Sequence, residues 1–301
     1  MSMIVSASPH IHAKISTKSI MRDVIIALCP ALVAATVIFG FRALLLTVIS
    51  AAACVFFEWG FEKICDRTCT IGDLSAVVTG ILRAYNVPVS LPIWQLVFGD
   101  LVAIVAVKML FGGIGKNFAN PAITARIVMF LAFSSSMTLW VYPDGVSSAT
   151  PLAMLAGGQA PELLDLLLGW HGGCIGETCA LALLVGFAYL MIRGIITWHT
   201  PVCFVGTVFV LSLVFGQDAL RQILSGGLML GAIFMATDYA TTPPTKAGRA
   251  VFGVGAGILT VLIRFFGSYA EGVSFAILFM NILTPYISKW TRTKPFGGVK
   301  A

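Results

Sequence analysis

The sequence predicts an all-α polytopic membrane protein with about ten transmembrane helices, arranged as two inverted five-helix halves. Of the 301 residues, 58% are hydrophobic and only 11% are charged, whereas a soluble globular chain carries about 25% charged residues. The apolar residues also form long runs that lack charges, as a membrane-spanning helix requires. A soluble fold cannot bury this much apolar surface, so composition and pattern together favour a membrane protein.

Ten apolar runs of helix-compatible length divide the chain. Five precede a long polar stretch and five follow it, so we expect an N-terminal membrane half at 1–137, an external loop at 138–178 and a C-terminal membrane half at 179–301. An odd number of spans in each half gives the two halves opposite orientations, which is typical of inverted repeats. The runs are 24–41, 43–57, 74–85, 93–107, 121–133, 179–192, 201–215, 223–237, 250–263 and 272–287.

The third run is short and ends in the sequence Asn-Val-Pro-Val-Ser-Leu-Pro at residues 86–92. Non-helical backbone at membrane depth is tolerated only where it is buried in protein or lines a water-filled cavity. We therefore expect this break to face an internal site rather than lipid.

The positive charges predict that both termini are cytoplasmic, because Lys and Arg accumulate in cytoplasmic loops. With that orientation, the Lys and Arg residues on other segments are only Arg42, Arg83, Arg126, Arg221 and Arg264. The net charge of +6 is then a consequence of topology. No base-recognition motif accompanies it, so we expect membrane lipid, and not nucleic acid, as a partner.

The cysteine and histidine pattern does not predict a metal site. The seven cysteines are odd in number and several lie in apolar runs, which favours packing over a disulfide framework. Cys65 and Cys69 form the only cytoplasmic pair, and His10 and His12 have no further ligand nearby. A structural metal site needs about four ligands, so we expect none here.

The external loop contains a segment with a specific resemblance. Its sequence from Asp144 is Asp-Gly-Val-Ser-Ser-Ala-Thr-Pro-Leu, and as a composition it is also compatible with a plain turn. It resembles the flavin-attachment motif Asp-Gly-x-Ser/Thr-Gly-Ala-Thr, with Ser148 where that motif usually has glycine. The resemblance implies that FMN is esterified to the Thr150 hydroxyl, with Ser147 and Ala149 as the other motif residues.

Further segments extend the resemblance over nearly the whole chain. Five segments, taken in their order along the chain, resemble the D subunit of the Rnf-type ion-translocating oxidoreductase complex. More distantly, they resemble the B subunit of the sodium-pumping NADH:quinone oxidoreductase. Five matches in family order are far more specific than one short motif. The segments are SPHIH at 8–12, GGIGKNFANPA at 112–122, GCIGETCA at 173–180, GAIFMATD at 231–238 and NILTP at 281–285.

The resemblance implies a flavin-bearing subunit, not catalytic alone, of a ferredoxin:NAD oxidoreductase-type complex in the bacterial inner membrane. Electrons carried on covalent FMN would be coupled to Na⁺ or H⁺ translocation. Implied partners are iron–sulfur membrane subunits, a second covalent-FMN subunit and a nucleotide-binding peripheral subunit, because this chain has neither a dinucleotide-binding glycine motif nor a cysteine cluster. The alternatives are a flavin-free channel or transporter for a small solute and the quinone-reducing relative.

Several other side chains are candidates for cofactor binding. Arg126, in the fifth run, could provide a cation for the FMN phosphate, or it could snorkel or pair with a helix-end carbonyl. Asn117, Phe118 and Asn120 could hold a second flavin, riboflavin, as the distant relative implies. Asn120 could equally cap a helix that begins at Pro121.

Three acidic residues at or near membrane depth are candidates for the ion pathway, namely Asp100, Glu177 and Asp238. Charges at this depth are costly and usually functional, and each carboxylate could carry a proton or coordinate sodium. Glu177 and Asp238 could also be interface residues, and Glu177 would suit a helix N-terminus by its charge.

Overall fold

The computed structural model describes residues 16–141, 149–267 and 272–292. These residues form helices joined by turns and loops, with no β-strand among them and an isolated antiparallel bridge between Pro88 and Cys174. The all-α prediction is therefore confirmed for the described part of the chain.

The N-terminal half consists of long helices followed by shorter, interrupted ones. A 3₁₀ turn at Ile71–Asp73 precedes the short third helix, and the fourth helix continues directly as a π-helical segment, Val102–Met109. The α-helices are α1 (Thr17–Phe39), α2 (Phe41–Ile64), α3 (Ser75–Tyr85), α4 (Ile93–Leu101), α5 (Pro121–Ala132) and α6 (Ser134–Met137).

The C-terminal half repeats the mixture of long and broken helices. A second π-helical segment, Gly231–Met235, continues the short helix α12. The α-helices are α7 (Pro151–Ala156), α8 (Leu163–Leu168), α9 (Ala180–Ile192), α10 (His199–Val214), α11 (Ala219–Leu224), α12 (Leu228–Leu230), α13 (Lys246–Phe266) and α14 (Val273–Trp290).

By length and apolar composition, α1, α2 and α13 are the helices among the described residues that can cross a membrane unaided. Helices α5, α9 and α10 are apolar but shorter. The run predicted at 223–237 is not continuous, because the chain leaves the helical conformation after Leu224 and Gly226 has a φ of 66°. Glycine has no Cβ and adopts this left-handed conformation without strain. The number of ten spans stays a prediction.

Glycines allow helices of each half to pack closely. A Cβ on Gly80 of α3 would lie 2.6 Å from Ala51 Cα of α2, and one on Gly253 of α13 would lie 2.7 Å from the Thr200 carbonyl oxygen of α10. Small residues at such contacts are characteristic of membrane helix packing, because they let backbones approach. The α2–α3 contact positions the broken end of α3, where the candidate site begins.

We expect Gly80→Ala to lower the free energy of unfolding by about 1–3 kcal/mol, because the new methyl group meets backbone atoms that cannot rotate away. Gly60→Ala is the matched control: a Cβ there meets no atom within 4 Å of its position, and alanine in a helix interior is favoured by about 0.5–1 kcal/mol over glycine. Thermal unfolding of the purified chain in detergent measures both changes. Equal midpoints for the two variants would contradict the close α2–α3 contact.

Candidate functional site

Two broken segments, one from each half, meet in the interior. Residues 86–92 follow α3, and residues 172–178 precede α9. The Ile175 amide donates to the Val87 carbonyl (3.0 Å) and the Gly176 amide donates to the Tyr85 carbonyl (3.1 Å). Gly176 lies so close to the Tyr85 ring that no larger residue fits. The backbone polar groups freed by these breaks thus bond partly to each other, as a water-poor environment requires.

Arg126 of α5 lies at this junction. Its Nη1 donates to Asn86 Oδ1 (2.7 Å) and lies 3.7 Å from Glu177 Oε2, while Nη2 lies 3.5 Å from Cys174 Sγ. Glu177 Oε1 accepts a hydrogen bond from the Cys174 amide (3.0 Å). Only 6% of Arg126 and 3% of Glu177 is exposed. Two residues predicted for different roles therefore form one buried ion pair, and neither the snorkelling of Arg126 nor a helix-end role for Glu177 describes them.

A glycine pair separates this ion pair from the flavin-motif segment. A Cβ on Gly227 would lie 2.7 Å from Glu177 Oε2 and 3.2 Å from Arg126 Nη1. A Cβ on the adjacent Gly226 would lie 2.6 Å from Leu152 Cδ1 and 3.4 Å from Arg264 Nη2. Leu152 follows Thr150 by two residues, so the motif segment and the ion pair contact the same glycine pair from different sides.

Thr150 is the N-cap residue of α7. Its Oγ1 accepts a hydrogen bond from the Ala153 amide (3.3 Å), Pro151 occupies the first helical position, and 8% of Thr150 is exposed. Threonine and proline at these positions are common at helix starts, whatever the function. Ala149 is exposed, and Asp144, Ser147 and Ser148 lie outside the described residues. Arg264 approaches Gly226, which Leu152 of the same helix also contacts, so a helix start and a cation, both of which favour the negative charge of a phosphoester, lie on this side of the glycine pair.

A cavity of about 360 Å³ lies near the residues predicted for a second flavin. Asn120 caps α5 by accepting from the Ala122 amide (3.0 Å) and the Ile123 amide (3.3 Å), so the capping interpretation is confirmed, and Asn120 also lines the cavity. Asn117 lines the cavity too. Phe118 is not among the lining residues, and its ring packs against Phe111 with centroids 4.7 Å apart. The cavity thus gathers two of the three predicted residues.

Asp238 borders both this cavity and a smaller one of about 210 Å³. Its carboxylate accepts from the Ala240 amide (3.3 Å) and the Thr241 hydroxyl (3.2 Å). Arg249 and Thr200 line the smaller cavity as well. Asp238 therefore lies between two polar-edged spaces. Asp100, the third predicted carboxylate, is fully buried among α2, α3 and α4, and it is not among the residues that line either cavity.

The sequence interpretation missed further buried charges. The charge pattern places Lys108 in a cytoplasmic segment, but Lys108 is buried in the first π-helical segment. Its Nζ donates to both carboxylate oxygens of Glu58 (2.8 Å each) and to Ser75 Oγ (2.6 Å). Asp23 pairs with Arg193 (3.0 Å). A usable signal existed for Glu58, because an acidic residue next to an apolar run is costly at membrane depth unless it is paired. Its partner, fifty residues away, gave none.

No group of three or more His, Cys, Asp or Glu side chains with a metal-binding arrangement occurs within the described ranges. All seven cysteines lie in the described ranges and none forms a disulfide there, and Cys65 and Cys69 are exposed. His10 and His12 precede the first described residue.

These features define a class: an α-helical membrane protein in which broken segments from two halves enclose buried ion pairs and an internal cavity. The sequence model of the NQR2, RnfD, RnfE family matches residues 4–297. The chain therefore belongs to this family.

Curated relatives match over the full chain. The D subunit of the Na⁺-translocating ferredoxin:NAD⁺ oxidoreductase complex of Acetobacterium woodii is 46% identical, over 100% of this chain and 97% of the relative. The D subunit of the proton-translocating ferredoxin:NAD⁺ oxidoreductase complex of Clostridium ljungdahlii is 37% identical, over 97% and 96%. The D subunit of the ion-translocating oxidoreductase complex of Vibrio atlanticus is 35% identical, over 99% and 100%.

We expect Glu177→Gln to cost about 3–5 kcal/mol of stability, because it removes a buried carboxylate that faces the buried Arg126 guanidinium. The matched control is Asp218→Asn, which removes the charge of an accessible pair with Arg221 but keeps a helix-capping side chain, at a cost of about 0–1 kcal/mol. Denaturant or thermal unfolding in detergent compares the two. If Glu177→Gln were as mild as the control, the ion pair would not stabilise the junction.

His171 predicts a pH dependence of stability. Burial lowers the pKa of its imidazole, although nearby carbonyl groups, those of Gly172 (3.1 Å) and Thr178 (3.2 Å), oppose that shift. The unfolded chain therefore binds a proton at a higher pH than the folded chain does, so stability is full above the ordinary histidine pKa of about 6.5 and falls as the pH drops through it. Unfolding midpoints measured from about pH 7.5 to 5.5 should fall less for His171→Gln than for the unmutated chain. Parallel pH profiles would contradict this.

Proposed function

We propose that the chain is the flavin-carrying membrane subunit of an ion-translocating ferredoxin:NAD⁺ oxidoreductase-type complex, and that it is not catalytic alone. The proposal is supported by the family match over residues 4–297 and by the similarity of the chain, across its whole length, to the D subunits of such complexes. The observation that carries the flavin assignment is Thr150, which keeps the position of the attachment threonine and begins a helix. Iron–sulfur, nucleotide-binding and second FMN subunits would be its partners in a bacterial inner membrane.

FMN esterified to Thr150 would supply one- and two-electron redox chemistry. The protein would supply the attachment point and the electrostatic surroundings. A phosphodiester keeps about one negative charge, which a cation and the start of a helix stabilise. Arg126 already faces Glu177, whereas Arg264 lies beside Leu152 near the glycine pair. Arg126 and Arg264 are therefore both candidates for the phosphate, and the Arg264 guanidinium also donates to the carbonyls of Gln222 (2.7 Å) and Ser225 (3.0 Å).

A second flavin, riboflavin, is part of the same proposal. The 360 Å³ cavity falls within the range of roughly 300–1,000 Å³ typical of small-molecule sites. Its lining is mainly apolar, with a few polar groups that include Asn117, Asn120 and Asp238. Amide side chains can donate and accept hydrogen bonds to a neutral ring system, while apolar walls cover its faces.

The translocated ion, Na⁺ or H⁺, would bind to buried carboxylates on its way through the membrane. Glu177 and Asp100 lie within the helical bundle, and Asp238 lies between two cavities. Buried carboxylates at membrane depth are typical of proton relays and ion pathways. Glu177 is held by Arg126 and by the Cys174 amide, so Asp100 and Asp238 are the carboxylates freer to exchange an ion.

We expect the chain co-expressed with a flavin transferase to be heavier by one FMN residue, and the Thr150→Ala chain to be unmodified. Intact-mass analysis of purified protein measures this directly. The substitution also removes a helix cap, at a cost of about 1 kcal/mol, which does not unfold the chain. Thr138→Ala is the matched control, because Thr138 is an exposed hydroxyl in the same predicted external loop.

Modification that persists in Thr150→Ala would move the attachment site elsewhere. An unmodified parent chain would instead favour a flavin-free channel or transporter built on the same cavity. Ser148→Gly restores the residue usual in the motif and should raise the modified fraction.

A further inference from the structure

Arg83 is the largest fully buried side chain of the described part of the molecule. It lies on α3, three residues before the break at Asn86, and its guanidinium lies directly against the Gly99 backbone of α4. None of its three side-chain nitrogens has a hydrogen-bond partner among the described residues. A guanidinium carries five N–H donors and stays charged in proteins, so a buried one needs acceptors.

Two acceptors on α4 are unpaired in the same region. Asp100 is adjacent to Gly99, and its Oδ1 accepts from Ser50 Oγ (2.7 Å). Its Oδ2 accepts no hydrogen bond of good geometry from the described residues, although the weakly donating Cys54 thiol also interacts with this carboxylate. Gln95 precedes Gly99 by one helical turn and so shares its face of α4, and its buried Oε1 is also without a described partner. Unpaired donors and unpaired acceptors thus occur beside one another.

The absence of direct contacts between Arg83 and these acceptors suggests what joins the three side chains. Arg83 and Asp100 attract each other electrostatically but are not within the 4 Å of a direct ion pair. Buried water commonly fills such gaps, because one molecule makes two to four hydrogen bonds to groups that lack other partners. Water molecules between Arg83, Gln95 and Asp100 would satisfy every unpaired atom of the group.

We infer that Arg83, Gln95 and Asp100 enclose a buried water site, in which Asp100 reversibly binds a proton and Arg83 is the positioning residue that stabilises its ionised form. The proton comes from solvent: a bridging water passes one proton to Asp100 Oδ2 as it takes up another, so it stays neutral, and the reverse transfer returns the proton to solvent and leaves the carboxylate facing the Arg83 guanidinium. The inference concerns the ion pathway of the proposed function and rests on that function for its physiological role.

The chemistry of the group favours a proton over other ions. A bound metal cation would lie next to the Arg83 charge and would find only two free oxygens, whereas hard cations take about six oxygen ligands. A bound anion would be repelled by Asp100, which already balances Arg83. A proton needs a single oxygen atom.

Other charged and titratable groups act on the site from each packed element. Because these groups interact electrostatically with the site, the pH at which Asp100 titrates depends on their charges as well. From α2 these are Cys54 and Glu58, from the π-helical segment after α4 Lys108, from α3 Arg83 itself, and from α5 and the segment before α9 Arg126 and Cys174.

Infrared difference spectroscopy of the full chain in vesicles, recorded as the pH is changed, tests the inference. We expect a protonated-carboxyl band on acidification that is lost in Asp100→Asn. In Arg83→Gln its midpoint should move to higher pH by about 1–3 units, because a neighbouring cation is removed, and Arg83→Lys should restore part of the shift. Ser50→Ala should change the band frequency, because Ser50 bonds Asp100 directly.

Asp66→Asn is the matched control, since Asp66 is exposed and has a φ of 48°, which asparagine tolerates. It should leave the band unchanged. If Asp100→Asn failed to fold, the Ser50→Ala frequency shift and the Arg83→Lys rescue would carry the test. A water band that shifts in H₂¹⁸O and disappears in Gln95→Leu is expected as well.

A band unaffected by Asp100→Asn, or a midpoint unaffected by Arg83→Gln, would overturn the inference. Either result could occur in a chain that still carries FMN on Thr150, so failure here is distinct from failure of the proposed function. Conversely, a chain without FMN that shows the Asp100 band would overturn the flavin assignment alone.

Discussion

The structure depends on the crossing of two broken segments, residues 86–92 and 172–178, around the Arg126–Glu177 ion pair. Breaking a helix inside a membrane protein frees backbone donors and acceptors, each costly if unpaired. Here the two breaks bond partly to one another, and a guanidinium from a third helix bonds Asn86 and faces Glu177 across the crossing. The two halves of the chain are thereby held together through polar contacts, which apolar side chains could not provide.

The other buried charged side chains also have a group of opposite charge nearby. Lys108 bonds Glu58 at close range, the buried Asp23 pairs with the exposed Arg193, and Arg83 and Asp100 attract each other without a direct ion pair. Buried ion pairs add little net stability over apolar packing, because desolvation offsets their attraction. Their presence in several places therefore needs another reason, and the proposed role in ion and electron transfer would provide one.

The fold class and several local features could be predicted from the sequence, because they depend on composition or on neighbouring residues. The helical class follows from the apolar runs, and the cap at Asn120 from its place before Pro121. The buried ion pairs could not be predicted from composition or from neighbouring residues. Arg126 and Glu177, like Lys108 and Glu58, are far apart in the sequence and come together only in the folded chain. Phe118 is a similar case. The sequence shows its place in the segment 112–122, but it does not show that its ring packs against Phe111.

The glycine pair Gly226–Gly227 relates the proposed electron carrier to the buried charges. On one side it contacts Leu152 of the helix that begins at Thr150, and on the other it faces Arg126 and Glu177. A side chain at either glycine would separate these groups, so their closeness depends on the absence of a Cβ. Because charges interact over longer distances in a medium of low dielectric constant than in water, a change of charge at a cofactor on Thr150, if one is attached there as proposed, would act on the Arg126–Glu177 pair across the glycine pair. If the proposed flavin is present, the junction would therefore be a place where a redox change acts on the buried charges.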